Sequence, residues 1–523
     1  MAVFFALFLL VGSVAFRAYG ITWDEKTQYL IGFQAFNSLT KGTPWTAIAD
    51  WRYFGTTFEL LLILFERPWH IEDAMTIFLL RHFVTFLSFF TGVVFFYLLA
   101  YRRFRNWQLP LLGCLFLILS PRIFGHAFYN SKDIPTLASF IMSMYTLLLF
   151  LERQTLSRAL LHAIACAVLV TIRMTGIVLP VITLLLLSSS LLAERRADAW
   201  RPLLVLSVTY LTAWMLFTIA IWPYLWGQPF GHFLEAYHYM TTKGGGGLFM
   251  GKMSPFTWYW IPVWIFVSTP LLYTALFLVG CIRTLSLAIR QPLIFIREKR
   301  TDASILLWFF LPLVSLMVSG AGIYDDWRHV FFLYPAFLFL ALIGMETTLR
   351  WFTSLSNPLR TTGQGIIASL LLFSTVSTAT WMARNHPFEC VYFSLPSRWI
   401  DGKFELDYWG LSYRQGFEYV LAHDSAPVIS FHVTSSPGWA APNILPWEQR
   451  QRIALTGNPQ VAQYILDNFR AQEYKKTFSP LPKVHAITVS GIEILGIYRN
   501  PSWKPEMLNG IATWPSRKPL FFL

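Results

Sequence analysis

The stretch "LPLLGCLFLILSPRIFGHAFYNSKDIPTLASFIMSMYTLLLFL" (109–151) contains two apolar segments with a polar cluster between them. Apolar segments of this kind suit helices that cross a bilayer, for which about 20 apolar residues are needed. Charged groups are costly inside hydrocarbon, so the polar cluster belongs at a membrane surface. The stretch therefore predicts two neighbouring membrane helices joined by a short charged loop. The ionisable residues of this loop are Arg122, His126, Lys132 and Asp133.

The composition of the whole chain extends this interpretation. Of 523 residues, 55% are hydrophobic and 13% are charged, with a mean hydropathy of +0.49. A soluble domain carries about 25% charged residues, so most of this chain is expected to lie in a membrane. The net charge of +13 does not indicate nucleic-acid binding, because the basic residues fall in separate short loops. Such loops fit topology signals and contacts to anionic lipids.

Hydrophobic segments predict about eleven transmembrane helices. The first segment lacks the basic start of a signal peptide and is interpreted as an anchor. The four cysteines form no disulfide framework and no metal-type Cys/His spacing. The predicted spans cover residues 1–18, 78–101, 107–121, 134–151, 159–172, 175–193, 202–223, 262–282, 303–321, 330–349 and 364–383.

Alternate loops are rich in Lys and Arg, which orients the chain with a cytoplasmic N-terminus. The basic loops are 102–105, 152–158, 194–201, 296–300 and 350–360. The opposite, outer face is then expected to hold the loops 19–77, 122–133, 223–261 and 322–329. Residues 1–383 are predicted to form a domain in the cytoplasmic membrane. Residues 384–523 are predicted to form a soluble domain on the outer face of that membrane.

The C-terminal part has a different pattern from the rest. Alternation in "VISFHV" (428–433) predicts a strand, and "YRQGFEYVLA" (413–422) predicts a short helix. The segment "HAITVSGIEILGIYR" (485–499) predicts a hairpin that turns at Ser490-Gly491. These signals indicate a small soluble α/β domain.

Ionisable residues collect in four clusters on the predicted outer face. In "ITWDEKTQY", Asp24 and Glu25 follow the first span, where a carboxylate could serve as a general base. The alternative interpretation is a helix start, because acidic side chains favour a first turn. In the second cluster, Arg122, His126 and Lys132 could bind an anion such as phosphate; the alternative is a plain polar turn.

The third cluster lies in the loop 223–261, where Lys243 precedes a glycine run. Glycines allow close backbone approach and a nearby lysine suits phosphate, but the motif is not a P-loop. The fourth is "GIYDDWRHVFFLYP", with Arg328 and His329 where a span enters the membrane. The alternative interpretation of the third cluster is a flexible surface loop, and that of the fourth is ordinary anchoring at the membrane interface. Arg81-His82 and Arg173 are interpreted as side chains that snorkel from span ends.

The distribution of these clusters favours an enzyme over a transporter. A transporter keeps ionisable groups in mid-membrane, whereas here they concentrate on one face. That arrangement suits a substrate with a lipid tail in the bilayer and an anionic head at the outer interface.

The ordered set of motifs resembles membrane glycosyltransferases of the GT-C class, in particular the bacterial relatives of dolichyl-phosphate-mannose protein mannosyltransferases, which include the lipid A aminoarabinose transferases. The resemblance covers nearly the whole membrane part and the start of the tail. It does not specify the sugar or the acceptor. The sequence shows no match to the MIR domain of protein mannosyltransferases, so a protein acceptor is not supported. The motifs are "WDE" (23–25), "SPRIFGHAFYNSKDIP" (120–135), "WPYLW" (222–226), "YDDWRHVFFLYP" (324–335), "HPFECVYF" (386–393) and "LDYWGLSYRQG" (406–416).

This resemblance implies a sugar donor on a polyprenyl phosphate and transfer to a hydroxyl with inversion at the anomeric carbon. By motif position Asp24 is the base, with Glu25 assisting, and Asp133 adds a second carboxylate. Basic residues of the outer loops hold the phosphate leaving group. This role is assigned to Arg122, His126, Lys132, Lys243, Arg328 and His329. A lipid-phosphate leaving group carries its own charge, so a divalent metal is an optional cofactor; Asp24, Asp133 and His126 are the residues that could bind one.

The sequence thus predicts a mainly α, polytopic membrane protein of GT-C type with a small C-terminal soluble α/β domain. Its predicted function is polyprenyl-phosphate-sugar-dependent transfer to a glycan, glycolipid or lipid acceptor at the outer face of the cytoplasmic membrane. Three alternatives stay open at this point: a ligase that moves a whole glycan, a transporter or flippase of lipid-linked sugars, and a non-catalytic assembly partner.

Overall fold

A computed structural model describes residues 1–194, 200–242, 244–319, 322–470, 477–514 and 516–519. The first three quarters of the chain are helical. Their helices are α1 (Ala2–Ala15), α2 (Glu25–Lys41), α3 (Thr57–Glu66), α4 (Ala74–Phe104), α5 (Gln108–Ile118), α6 (Pro121–Tyr129), α7 (Asp133–Glu152), α8 (Leu156–Ile172), α9 (Val178–Glu194), α10 (Trp200–Ile221), α11 (Pro229–Thr242), α12 (Trp260–Ser268), α13 (Leu271–Arg290), α14 (Pro292–Glu298), α15 (Arg300–Ser319), α16 (Tyr334–Thr353) and α17 (Asn357–Asn385).

Among the described residues, seven helices are long and apolar enough to cross a membrane, and the bent pair α5–α6 makes an eighth. Three shorter apolar helices cover Ala2–Ala18, Leu156–Ile172 and Met174–Ser189. Each predicted span therefore has a helical counterpart. The seven long helices are Ala74–Phe104, Asp133–Glu152, Trp200–Ile221, Leu271–Arg290, Arg300–Ser319, Arg328–Thr353 and Asn357–Asn385.

The predicted outer connection 122–133 is helical for most of its length, because Pro121–Tyr129 is a helix, and its place on the outer face stays a prediction. The axis of α6 bends by 67° from that of α5. Proline lacks the N–H that would continue the preceding helix, yet its fixed φ suits a first turn. Pro121 therefore ends one helix and begins the next, which leaves only 130–132 as a connection to α7.

The connection between α6 and α7 is shaped by one amide side chain. Oδ1 of Asn130 accepts hydrogen bonds from the backbone N–H of Asp133 at 2.9 Å and of Lys132 at 3.3 Å. These donors would otherwise lack a partner at the start of a helix. Asn130 thereby fixes the two ionisable residues that begin α7.

Helices α13 and α16 approach most closely where two glycines face each other. A Cβ added to Gly344 would lie 1.9 Å from the carbonyl oxygen of Leu276, and one added to Gly280 would lie 1.9 Å from that of Leu340. Small residues allow such backbone contact between membrane helices. This pair sets the distance between the two helices.

Replacement of Gly344 by alanine is expected to lower the free energy of unfolding by at least about 1–3 kcal/mol, because the new methyl group must force the helices apart. Thermal unfolding of the purified protein in lipid nanodiscs measures the effect. Gly365→Ala is the matched control, since no atom lies within 4 Å of its added Cβ on α17. Equal melting temperatures for the two variants would contradict the close approach.

Two helices and a hairpin cover the end of the helical bundle where the site lies. Helices α2 and α3 lie within the segment predicted as the loop 19–77. The segment 223–261 contains α11 and an antiparallel hairpin of β1 (Gly246–Phe249) and β2 (Lys252–Pro255). The peptide hydrogen bond from Asp325 N to Gly246 O, 3.1 Å long, joins this hairpin to the segment before α16.

The C-terminal part folds around a mixed five-stranded sheet of order β4-β3-β5-β7-β6. The predicted helix 413–422, the strand at 428–433 and the hairpin at Ser490-Gly491 are all confirmed. Strands β4 and β5 run parallel to β3, and β7 runs antiparallel to both β5 and β6. The elements are α18 (Ser412–His423), β3 (Ile429–Val433), α19 (Ser436–Ala440), α20 (Trp447–Arg450), β4 (Ile453–Leu455), β5 (Tyr464–Asp467), β6 (Lys483–Val489) and β7 (Ile492–Arg499).

The sheet domain has its own hydrophobic core. Phe417 of α18 packs there with Phe431, Leu466 and Ile497 from the strands. Residues between 388 and 411 pack instead into the core of the helical bundle. The division at 383/384 stays a prediction, and in packing terms the sheet domain begins near Tyr413.

Candidate active site

Three segments that are distant in sequence meet through one guanidinium. Asp24 immediately precedes α2, Asp133 begins α7, and Arg328 lies just before α16. Nη1 of Arg328 is 2.9 Å from Oδ2 of Asp24 and 3.3 Å from Oδ2 of Asp133. Arg328 is itself buried, with its guanidinium 4.8 Å from the centre of the Trp409 ring. The structure therefore brings together three of the residues that the sequence analysis selected.

The two carboxylates that Arg328 joins differ in accessibility. The Asp133 side chain is 1% exposed and the Asp24 side chain is 29% exposed. Asp133 also accepts a hydrogen bond of 2.9 Å from Nδ2 of Asn130 and forms an ion pair with Arg173. A general base must reach the proton that it removes. On this geometry Asp24 is placed to meet a substrate, whereas Asp133 is placed to hold cations.

The neighbouring carboxylate, Glu25, faces the protein interior. Its Oε2 accepts hydrogen bonds from the N–H of Thr22 at 2.7 Å and from the Thr22 hydroxyl at 2.9 Å. Its Oε1 lies 2.7 Å from Nε2 of His82 on α4. These contacts close the loop that carries Asp24. Glu25 is thus placed to anchor this loop rather than to contact a substrate.

Replacement of His82 by leucine is expected to lower the free energy of unfolding by about 3–5 kcal/mol, because it leaves Oε1 of the buried Glu25 carboxylate without its imidazole partner. Thermal unfolding in nanodiscs provides the measurement. His238→Leu is the control, since His238 lies exposed on α11. A shift no larger than that of the control would refute the anchoring role of the His82–Glu25 pair.

The residue before His82 anchors a second loop. Arg81 forms ion pairs with Glu59 and, at 3.1 Å, with Glu66, and all three side chains are buried. Glu59 also accepts a hydrogen bond from the hydroxyl of Ser131, which precedes Lys132. Consecutive residues of α4 therefore hold the loop that carries Asp24 and the loop that carries Lys132.

Lys132 is a basic residue whose Nζ has no hydrogen-bond acceptor among the described residues. Its Nζ is buried and lies 3.6 Å from the centre of the Phe54 ring. Burial and the nearby Arg173 guanidinium lower the pKa of Lys132 well below its usual range. A buried ammonium is unfavourable unless an anion pairs with it. The site around Lys132 is thus suited to an anionic ligand.

Lys132 faces a small cavity that a second cationic group also lines. The cavity has a volume of about 100 Å³, and its walls include Lys132, Arg173, His329, Phe54 and Tyr324. Burial and the neighbouring positive charge on Arg328 lower the pKa of Arg173 to about 10. Two basic groups buried side by side favour an anionic ligand that pairs with both of them. We call this space the cation cavity.

An apolar groove of about 400 Å³ lies beside the cation cavity. Three segments contribute to both, because Gly55, Lys132 and Arg173 line the cavity while Thr57, Pro135 and Ile172 line the groove. The rest of the groove wall is mainly aliphatic and aromatic. This wall is formed by Leu39, Phe58, Leu60, Leu61, Leu64, Ser88, Ser139, Val168, Ala220, Ile221, Pro223 and Trp226. The cation cavity and the apolar groove together offer a charged site next to an apolar channel.

The other sequence-selected residues occupy different places. Nη1 of Arg122 lies 3.3 Å from Oδ2 of Asp326, and its Nη2 donates a 3.3 Å hydrogen bond to the Tyr392 carbonyl. His126 is fully buried, and its Nδ1 accepts a 3.0 Å hydrogen bond from Asn130. Neither lines the cation cavity, whereas His329 does. Lys243 lies outside the described residues.

The residues considered for a divalent metal are arranged for other partners. The guanidinium of Arg328 stands between Asp24 and Asp133, and His126 is bound to Asn130. In the described ranges, no group of three or more His, Cys, Asp and Glu side chains could hold a metal ion. The arrangement of Asp24, Asp133 and His126 therefore does not fit a metal.

Several residues of the site were not selected from the sequence. Arg173 and the Arg81-His82 pair were interpreted as snorkelling side chains, and Glu59 was not considered. All four are polar residues beside apolar segments, and Arg173 interrupts the apolar run between α8 and α9. An isolated charge does not reveal its partners, which here come from other helices.

No protein-family model matches the chain, and no curated protein matches it. Solved structures do match. The structure of ArnT from Cupriavidus metallidurans bound to undecaprenyl phosphate superposes with a TM-score of 0.53 at 13% identity, covering 96% of this chain and 99% of ArnT. Its apo form gives a TM-score of 0.51 at 12% identity with the same coverage.

A structure of the archaeal oligosaccharyltransferase AglB from Archaeoglobus fulgidus, in complex with an inhibitory peptide and a dolichol-phosphate, has a TM-score of 0.48 at 11% identity. It covers 87% of this chain and 66% of AglB. At sequence identities this low, structural similarity shows only that the fold is shared. The evidence for the shared fold comes from the two ArnT structures. The GT-C fold that the sequence predicted is thereby confirmed.

Proposed function

We propose that this protein is an inverting glycosyltransferase that moves a sugar from a polyprenyl-phosphate donor to a hydroxyl of a glycan, glycolipid or lipid acceptor. The observation that carries the proposal is the cation cavity at the end of an apolar groove, beside an accessible carboxylate. Lys132 and Arg173 supply positive charge for a phosphate, and the groove suits a polyprenyl chain. The shared fold with ArnT, a protein whose structure contains undecaprenyl phosphate, supports the same donor class.

In the proposed reaction, Asp24 acts on the acceptor, and Lys132 and Arg173 act on the leaving phosphate. The acceptor oxygen attacks the anomeric carbon while Asp24 takes the hydroxyl proton. The bond between the anomeric carbon and the phosphate oxygen breaks, and the electron pair leaves with the lipid phosphate. Preorganised positive charge from Lys132 and Arg173 stabilises the leaving anion. Attack on the face opposite the phosphate inverts the anomeric configuration.

Asp133 acts in this scheme as a positioning residue. Its carboxylate contacts Arg173 and Arg328, so it holds two guanidiniums whose mutual repulsion would otherwise separate them. Arg328 in turn fixes the carboxylate of Asp24. Asp24, Asp133 and the cation cavity therefore form one connected unit.

The proposed location is the outer face of the cytoplasmic membrane. The basic loops on the opposite side support a cytoplasmic N-terminus by the positive-inside rule. The site and the sheet domain then face outward. We propose residues 1–383 as the catalytic membrane domain and 384–523 as the outward-facing domain.

The proposal is tested with the full chain in lipid nanodiscs, supplied with a panel of labelled polyprenyl-phosphate sugars and a membrane glycolipid extract. Transfer of label to an acceptor, absent from empty nanodiscs, is the expected result and identifies the donor sugar. The same labelled lipids are followed across the bilayer of sealed vesicles that contain the protein. Protein-dependent movement without transfer from any donor would overturn the proposal and identify a flippase.

A further inference from the structure

A second cavity lies on the other side of the loop that carries Asp24. It has a volume of about 590 Å³ and is enclosed by the start of α2, the segment near Trp51, and the sheet domain. Its walls contain the indoles of Trp23, Trp51, Trp439 and Trp514. We call it the tryptophan cavity.

Two of these indoles are unusually exposed for such large apolar groups. Trp23 is 39% exposed and Trp439 is 44% exposed. Anchoring at a membrane interface explains exposed tryptophans near span ends. It does not explain the exposure of Trp439, which lies on α19 of the sheet domain. Clustered exposed aromatics on a folded surface mark binding sites.

The C-terminal segment that contributes Thr513 and Trp514 to the tryptophan cavity is held by contacts to both parts of the chain. Thr513 forms a β-bridge with Ala454, next to the end of β4. The carbonyl of Arg517 accepts hydrogen bonds from the Ala74 N–H at 3.0 Å and from Nη1 of Arg450 at 3.1 Å. Nη2 of Arg450 lies 2.7 Å from Oδ1 of Asp73. The cavity is therefore preformed, which reduces the entropy lost on binding.

The cavity reaches the residues on both sides of the candidate base. Trp23 precedes Asp24 in the chain, and Lys26 and Thr27 of the same turn also line the wall. The indole of Trp23 is held by the Arg470 guanidinium, 4.3 Å from its ring centre, and its backbone N–H donates to the Trp409 carbonyl at 3.2 Å. Asp24, whose carboxylate contacts Arg328, therefore belongs to a turn that borders the tryptophan cavity.

We infer that the tryptophan cavity binds the sugar rings of the acceptor, an inference that rests on the proposed function and narrows its acceptor to a carbohydrate. The C–H face of a pyranose ring is apolar and packs on the flat face of an indole, while its hydroxyls remain at the ring edge. Thr27, Ser436 and Lys26 place hydroxyl and ammonium groups at the same wall. A cavity with aromatic walls and a few polar groups, located between two domains, is typical of a ligand site.

The location of the wall residues argues against an acyl chain as the occupant of the tryptophan cavity. None of the wall residues belongs to a helix that is long and apolar enough to cross the membrane. A lipid chain would have to leave the hydrocarbon to enter, which is unfavourable. A saccharide on the aqueous side has no such barrier.

The test measures binding directly, without requiring turnover. The full-length protein in nanodiscs is titrated with linear hexasaccharides of glucose, mannose and N-acetylglucosamine, followed by saturation-transfer NMR. A second arm presents the same sugars as head groups of glycolipids within the nanodisc. Trp439→Ala is expected to weaken saccharide binding by about tenfold, the loss of one aromatic stacking partner, and Trp439→Phe to restore most of it. Trp258→Ala is the control, because Trp258 is 64% exposed and lies outside the cavity wall.

Each outcome decides one claim. Weakening in the free-saccharide arm supports a soluble glycan, and weakening in the glycolipid arm alone supports a lipid-linked one. Equal affinities of Trp439→Ala and Trp258→Ala, or no saccharide binding in either arm, would overturn the inference. Polyprenyl-phosphate binding by the same sample separates the two proposals: its presence without saccharide binding leaves the proposed donor intact, and its absence defeats the proposed function itself.

Discussion

Replacement of Asp24 by asparagine is expected to lower kcat for sugar transfer by about 10²–10⁴-fold, the usual contribution of a general base. Asparagine keeps an oxygen that can accept the 2.9 Å hydrogen bond from Arg328, so the surrounding structure is retained. It cannot take the proton of the acceptor hydroxyl. The measurement is single-turnover transfer in nanodiscs at saturating donor, together with the melting temperature and the affinity for polyprenyl phosphate, which are expected to stay near those of wild type.

The matched control for Asp24→Asn is Glu72→Gln. Glu72 is an exposed carboxylate that forms a 3.0 Å ion pair with the exposed Lys518. Surface pairs of this kind contribute about 0–1 kcal/mol, so this variant is expected to transfer sugar at the wild-type rate. A folded Asp24→Asn protein that retains more than about a tenth of wild-type kcat would exclude Asp24 as the base, since even weak general-base catalysis exceeds that factor.

Replacement of Lys132 by methionine is expected to change binding and stability in opposite directions. Affinity for polyprenyl phosphate falls by about 10–100-fold, because a charge-assisted hydrogen bond of about 1.5–3 kcal/mol is lost. The free energy of unfolding of the ligand-free protein rises by about 1–3 kcal/mol, because a buried polar group without an acceptor is replaced by an apolar one. Methionine has a similar length and can pack on the Phe54 ring.

The depressed pKa of Lys132 adds a pH dependence to this prediction. Because the folded pKa lies well below the ordinary value of 10.5, the unfolded chain binds a proton that the native chain does not hold between the two values. The Lys132 contribution to stability therefore decreases as pH falls from 10.5 to the folded pKa. A bound phosphate favours the ammonium, so ligand binding within that window takes up a proton.

Calorimetric titration with polyprenyl phosphate in two buffers of different ionisation enthalpy measures this proton uptake. Lys132→Met is expected to abolish it and to remove the corresponding slope of melting temperature against pH. Lys252→Met is the control, because Lys252 lies exposed on the β1–β2 hairpin. A Lys132→Met protein that is less stable than wild type and binds the lipid phosphate equally well would refute the assignment.

The fold was largely predictable because the membrane restricts it. Long apolar runs have few alternatives to helices in hydrocarbon, and the hairpin at Ser490-Gly491 has a clear turn signal. The convergence of Asp24, Lys132, Asp133 and Arg328 followed from their common position at one end of the spans. The helix at Pro121–Tyr129 was missed because a proline and several charges after an apolar run also fit the end of a span.

The partners of individual charges were not predictable in the same way. Arg122 and Lys132 lie in one polar stretch, but Arg122 pairs with Asp326 while Lys132 faces the cation cavity. Which way each side chain points depends on the bend between α5 and α6 and on residues about 200 positions away, such as Asp326. Arg173 looked like an isolated basic residue because its carboxylate partner, Asp133, lies on another helix.

The anchoring of two loops by Arg81 and His82 has a consequence for how this fold could diversify. Because both loops are tied to one turn of α4, contacts within the helical bundle help to set the distance from the proton acceptor to the phosphate site. Substitutions on α19 or in the segment around Trp514 would alter which acceptor fits while leaving the reacting groups in register. A change of acceptor is therefore accessible by single mutations in the sheet domain, whereas a change of donor phosphate requires remodelling of the membrane helices themselves.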